Sequence, residues 1–125
     1  MESSDAKMHE SLDCWRLAMD LVVLVYKLTA FFPQHEQYAL TQQLHRAVQS
    51  IPSNIAEGRA KRTANETLHA LFIARGSLAE VETQLQIAAR LEYIQIEEDH
   101  RALLNRVSQS LNGFIRFMKK KSRST

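Results

Sequence analysis

Apolar residues recur at helical spacing through four stretches of this chain. Between Leu12 and about Phe31, Trp15, Met19, Val22 and Tyr26 step by four, three and four, and a second stripe runs through Leu17, Leu21, Val25 and Leu28. A helix so apolar around its circumference is expected to be central in a bundle or shared with another subunit. Pro33 stops it or lies just beyond its end. The next helix is expected to begin near Glu36–Leu40, carried by Leu40, Leu44, Val48, Ile51 and Ile55. Pro52 falls inside this pattern and removes an amide donor, which predicts a kink near Val48–Ile51. The periodicity continues to Ala56 and Ala60, favouring one bent helix over two.

The segment Thr63-Ala-Asn-Glu66 fits a capping box, in which Thr63 caps the third helix and Glu66 answers from its third position. That helix is expected to reach about Leu91 through Leu68, Leu71, Phe72, Leu78, Leu85 and Ala89. Gly76 in its middle costs about 1 kcal/mol relative to Ala, which points to close packing or close approach of a ligand. The last helix opens with Glu97, Glu98 and Asp99 at the end that favours negative charge. Leu104, Val107, Leu111, Phe114 and Met118 then form a heptad-like seam. Four helices joined by short connections predict an all-α, antiparallel up-and-down four-helix bundle. Residues 12–118 are expected to form the bundle, with 1–11 a disordered N-terminus and 119–125 a flexible basic tail.

Composition sharpens this picture. A chain of 125 residues, 45% hydrophobic and 24% charged, has the balance of one soluble globular domain. The lone Cys14 excludes a disulfide scaffold, and its place beside Trp15 suggests a packed thiol. No secretory leader or membrane span is visible, so the expected location is cytoplasmic, away from membranes. The formal net charge of +2 conceals a division, because residues 100–125 carry seven Lys and Arg and no acidic residue.

Candidate chemistry concentrates in Ser50-Ile-Pro-Ser-Asn-Ile-Ala-Glu-Gly-Arg-Ala-Lys-Arg62. Arg46, Asn54 and Lys61 recur near one helical angle, while Arg59 and Arg62 cluster at the helix end. Arg and Asn are the side chains that contact phosphates and base edges. The plainer reading is a solvated helix end, with Glu57 paired to Lys61 four residues on. Arg75, among the small residues Ala74, Gly76 and Ala79, reaches either a phosphate or a carboxylate such as Glu80 or Glu57. Arg116, Lys119, Lys120, Lys121 and Arg123 form the clearest polyanion-attracting segment. No catalytic motif of strong specificity is present. Glu66-Thr-Leu-His69 has the Glu-x-x-His spacing that di-iron bundles use in pairs; Glu66 already has a capping role and His69 reads as a surface or boundary residue, so neither metal nor cofactor is expected.

Several segments together carry a family resemblance. Tyr38-Ala-Leu-Thr-Gln-Gln-Leu-His-Arg46, Ser50-Ile-Pro-Ser-Asn-Ile-Ala-Glu-Gly58, Ala74-Arg-Gly-Ser-Leu-Ala-Glu80 and Thr83-Gln-Leu85 resemble the bacterial 23S rRNA intervening-sequence proteins, also labelled S23 ribosomal proteins. The family is similar in turn to the accessory variability proteins of diversity-generating retroelements, basic bundles that form pentameric barrels and associate with nucleic acid. The resemblance implies a homo-oligomer, with a pentamer as the leading assembly. It draws attention to Arg46, Asn54, Pro52, Glu57, Gly58, Arg59, Arg75, Gly76 and Glu80 without assigning them chemistry.

The function expected from these readings is a non-enzymatic, homo-oligomeric bundle protein associated with nucleic acid, RNA foremost. The alternatives are a scaffold whose acidic stretch Glu80–Asp99 binds a basic partner protein, and a metal-dependent bundle enzyme.

Overall fold

The heptad-like seam of the last helix lies in the core: Val107, Leu111 and Phe114 are fully buried, with Leu104 and Met118 nearly so. A computed structural model describes residues 2–124, with side chains over 7–123. It contains α1 (Glu2–Thr29), α2 (Leu40–Arg59), α3 (Ala64–Arg90) and α4 (Glu98–Ser124), with a short 3-10 turn at Gln34–Glu36. Helix α1 packs on α2 and α4, and α3 packs on the same two helices, as an up-and-down four-helix bundle requires.

One continuous core joins all four helices. Helix α2 contributes Leu44, Val48, Ile51 and Ile55, and α3 contributes Leu68, Leu71, Ala74, Leu78, Val81, Leu85 and Ala88. Each large side chain buried there contributes about 1.5–3 kcal/mol of apolar transfer free energy. Helix α2 runs unbroken through the buried Pro52. The proline ring leaves the Val48 carbonyl without its helical donor.

Of the two stripes expected on α1, the second supplies the core through Leu21, Val25 and Leu28, and the first does not. The buried stripe runs through Cys14, Ala18, Leu21, Val25 and Leu28, whereas Met19 and Tyr26 are exposed and Trp15 and Val22 half-buried. Small residues, Cys14 and Ala18, face the core at the start of this stripe, and larger ones follow at Leu21, Val25 and Leu28.

The helix ends differ as well. Helix α1 begins at Glu2 rather than Leu12, and α4 continues to Ser124, so the segments expected to be disordered (1–11) and flexible (119–125) are largely helical. Ser11 is buried and its hydroxyl donates to the Met8 carbonyl, which ties the early turns down. Past Met118, polar contacts replace the apolar seam: Lys121 lies over the Phe117 ring and Ser122 donates to the Asn65 side chain of α3. Met1 and Thr125 lie outside the described residues.

The capping box of α3 forms as the sequence predicts. The Glu66 amide donates to Thr63 Oγ1, and the Thr63 amide donates back to Glu66 Oε1. The close helix approach, by contrast, falls at Gly58 and not at Gly76. A Cβ at Gly58 would stand 3.4 Å from the Ala70 Cβ, while one at Gly76 would meet nothing within 4 Å. Buried Thr67 donates to the Gly58 carbonyl at 2.8 Å and locks α2 against α3 there. At its other end α3 closes through a Schellman motif, with Tyr93 N–H bonded to Ala88 O and Glu92 N–H to Ala89 O. Glu92 takes the left-handed position, φ 65°, that glycine usually fills.

Candidate nucleic-acid interface

Antiparallel helices bring together the start of α1, the end of α2, the start of α3 and the end of α4. Two basic segments that are far apart in the sequence therefore meet at one end of the bundle. Arg59, Lys61 and Arg62 lie at the α2–α3 connection, and Lys119, Lys120, Lys121 and Arg123 on the last turns of α4. The Ser122–Asn65 hydrogen bond joins the two elements directly. Lys7 of α1 belongs to the same end: burial and then the charge of Lys121 lower its pKa.

A cation–aromatic strip leads from this end along α3 and α4. The Lys119 ammonium lies 5.7 Å and the Arg75 guanidinium 5.1 Å from the centre of the Phe72 ring. Phe72 remains 40% exposed, although its periodicity places it among core candidates. Arg75 Nη1 also donates to Asn112 Oδ1 at 3.3 Å. Its neighbours are an aromatic face and an amide on α4; neither Glu80 nor Glu57, the carboxylates the sequence offers beside a phosphate, is paired with it. Such cation–ring contacts are worth about 0.5–1 kcal/mol each at exposed sites and bias the two cations toward the ring face. The sequence signal for Phe72 was weak, because exposure of one aromatic on an otherwise buried helix depends on tertiary packing.

The remaining candidates scatter. Lys61 pairs with Glu57 at 3.7 Å, the plain i,i+4 contact. Arg116 is exposed and turns toward α1, where its guanidinium and the Glu10 carboxylate both come within 3.8 Å of a Cβ placed on Gly113. Arg46 is exposed on α2, about 20 Å along the helix from Arg59. Asn54 shares their helix but spends its amide internally, donating to the Ser50 carbonyl at 2.9 Å and the Ser50 hydroxyl at 3.0 Å. Ser77 donates to that same hydroxyl at 2.8 Å, so this polar part of the motif knits α2 to α3. Glu80 and Gly76 lie exposed on the outer side of α3.

The opposite end of the bundle is acidic. Glu92, Glu97, Glu98 and Asp99 are exposed there, beside an open cleft of about 1020 Å³ whose walls include Leu28, Phe31 and Ile94. Tyr93 braces this end through a hydrogen bond to Glu36 at 2.8 Å, which raises the phenol's pKa. Glu97, Asp99 and His100 bring ligand-type atoms within 4.8 Å of one another. Their arrangement is that of a helix start: His100 Nδ1 accepts the Glu97 amide N–H at 3.0 Å, closing the first turn of α4. Glu66, of the Glu-x-x-His spacing, is engaged in the capping box, and His69 is exposed. Cys14 is buried without solvent contact, and burial pushes its thiol pKa up to about 12. Among the described residues, no helix is long and apolar enough to cross a membrane.

Comparison with known proteins agrees with this architecture. A crystal structure of a protein of unknown function from the S23 ribosomal protein family of Bacteroides thetaiotaomicron superposes with a TM-score of 0.72. The two chains are 22% identical, the match covers 88% of this chain and 98% of that one, and the likeness is one of fold. No curated protein matches the chain. The 23S rRNA-intervening sequence protein family matches residues 10–113. With five-sixths of its length within that match, including both the α2–α3 lock and the Phe72–Arg75 pair, the chain belongs to the 23S rRNA-intervening sequence protein family.

Proposed function

We propose that this protein is a non-enzymatic, homo-oligomeric bundle that associates with RNA through its basic end. The observation that carries the proposal is the meeting of residues 59–62 with residues 119–123 at one end of the bundle, joined through Ser122 and Asn65. Phosphates along a nucleic-acid backbone are the natural counter-charge for such a surface. Phe72, between Arg75 and Lys119, adds the aromatic face that the basic segment lacks in sequence. The exposed apolar residues Met19 and Val23 of α1 and Ile73 and Ile87 of α3 supply surface for self-association. The pentamer is the assembly that the resemblance to retroelement accessory proteins implies, and a cytoplasmic location fits a partner of this kind.

Titration of labelled 23S rRNA fragments across a salt series tests the proposal. Affinity is expected to fall linearly on logarithmic axes, with a slope of about 0.7–0.9 per phosphate contacted. Removing the charges of Lys119 and Lys120 together should flatten the slope. Absence of binding at low salt removes the reading. Sedimentation of the same sample measures the assembly, and a monomer at all concentrations refutes the homo-oligomer.

The acidic end favours a second reading, a scaffold for a basic partner protein. Its cleft of about 1020 Å³ combines apolar walls with the carboxylates of Glu92, Glu97 and Asp99. Recovery of one stoichiometric basic protein that is lost on neutralising those carboxylates would support it.

A further inference from the structure

Far from the basic end, the outer face of α1 and α2 holds a cleft of about 530 Å³ around the first turns of α2. Gln42, His45, Arg46 and Gln49 recur on α2 at i, i+3, i+4 and i+7, so they share one face, and Tyr38 lies one turn before them. Tyr26 reaches across from α1 and stacks on the His45 ring, with centroids 3.8 Å apart and planes within 10°. The stack is held at both edges: Thr29 Oγ1 lies 2.7 Å from His45 Nε2, and Gln49 Nε2 donates to the Tyr26 hydroxyl. Burial lowers the His45 pKa, which keeps the imidazole neutral near pH 7.

Two features of this cleft leave groups open to a ligand. Tyr38 is 82% exposed, the most exposed large hydrophobic side chain among the described residues, and Tyr26 stays 42% exposed after stacking. Arg46 is exposed on the same wall and forms no ion pair with a described residue. The cleft therefore offers aromatic faces, glutamine amides with both donors and acceptors, and one cation within a single turn or two of helix.

We propose that the Tyr26–Tyr38–His45–Arg46 cleft binds a single unpaired nucleotide. The base stacks on the exposed tyrosine faces, its edge meets the Gln42 and Gln49 amides, and its phosphate meets Arg46. An apolar ligand would leave the glutamines and Arg46 unmatched, and an inorganic anion would leave the aromatic faces unused. The nucleotide comes from one of two sources, a free mononucleotide or an unpaired position in an RNA strand. Because the cleft is separate from the basic end, it stands or falls independently of binding there.

The test is NMR titration of the full-length protein, following the His45 imidazole resonances, with three probes: the four ribonucleoside 5′-monophosphates, single-stranded RNA hexamers of each base, and a blunt RNA duplex. Saturable shifts of His45 with a mononucleotide identify the free nucleotide as the ligand. Shifts with a hexamer alone identify the strand. In either case Tyr38→Ala and Arg46→Ala are each expected to weaken binding about tenfold, the loss of roughly one stacked base or one phosphate contact. Both side chains are exposed, so both variants should fold. Tyr38→Ala should leave duplex affinity unchanged, which separates this cleft from the basic end. If neither mononucleotide nor hexamer moves His45, or both variants bind as wild type does, the cleft is not a nucleotide site.

Discussion

Replacing Gly76 with Ala should stabilise the protein. Gly76 lies mid-helix in α3, with ordinary helical φ and exposed to solvent, and a Cβ there meets nothing within 4 Å. No packing term opposes the substitution, so helix propensity alone sets its sign. Alanine is favoured over glycine by about 0.8–1.0 kcal/mol in a helix interior. For a domain of this length that gain raises Tm by about 3–5 °C. Thermal unfolding followed by circular dichroism, at a protein concentration low enough to dissociate any assembly, measures it. An unchanged or lowered Tm in the dilute sample would refute the reasoning, because it would require a contact at Gly76 within the chain. A stabilised dilute protein that loses Tm only as concentration rises would place a second copy against this face of α3.

Other expectations follow from single contacts. Glu92→Gly removes an α-left penalty of about 1 kcal/mol at the Schellman position and should raise the urea midpoint; a lower midpoint would show that the Glu92 side chain stabilises the turn. Thr67→Val removes the buried bond to the Gly58 carbonyl and should cost about 1 kcal/mol in chemical unfolding, with no loss meaning the helices stay locked without it. Cys14, with its thiol pushed up to about 12, should resist a thiol reagent at pH 8 in the native state and react at once in denaturant. His45 has a lowered pKa in the fold, so the unfolded chain binds its proton first as pH drops through about 6.5. Stability should therefore be constant in this respect above pH 7.5 and fall below 6.5, and the fall should shrink in His45→Gln; an equal fall in both proteins would remove His45 as its source.

The parts of the fold legible in the sequence are those governed by local spacing. The α4 seam and the Thr63–Glu66 capping box each depend on residues within a turn or two of one another, and both appear where the pattern puts them. Helix α1 was ambiguous because its apolar residues surround the axis. Periodicity cannot choose a face there, and the bundle seats Cys14 and Ala18 inward while Met19 and Tyr26 lie outward. The glycines show the same limit. Gly76 has small neighbours in sequence but open space around it, whereas Gly58 meets Ala70 and Thr67, twelve and nine residues away, only once α2 and α3 fold together. Of the candidate site, the cations themselves were legible. Their convergence was not, because it depends on α4 running back antiparallel to α3 between Arg62 and Lys119.

The separation of charge between the two ends has a consequence of its own. In an antiparallel bundle the backbone dipoles of neighbouring helices oppose one another and largely cancel. The electrical asymmetry of the molecule therefore rests on side chains: an excess of cations at one end and of carboxylates at the other, about 40 Å apart along helices of 27 residues. A body with such a dipole moment rotates in the field of a polyanion before touching it, and arrives basic end first. Orientation is thus selected during diffusion, and a few lysine neutralisations or a rise in salt would leave every buried contact intact while removing the torque that aims the molecule.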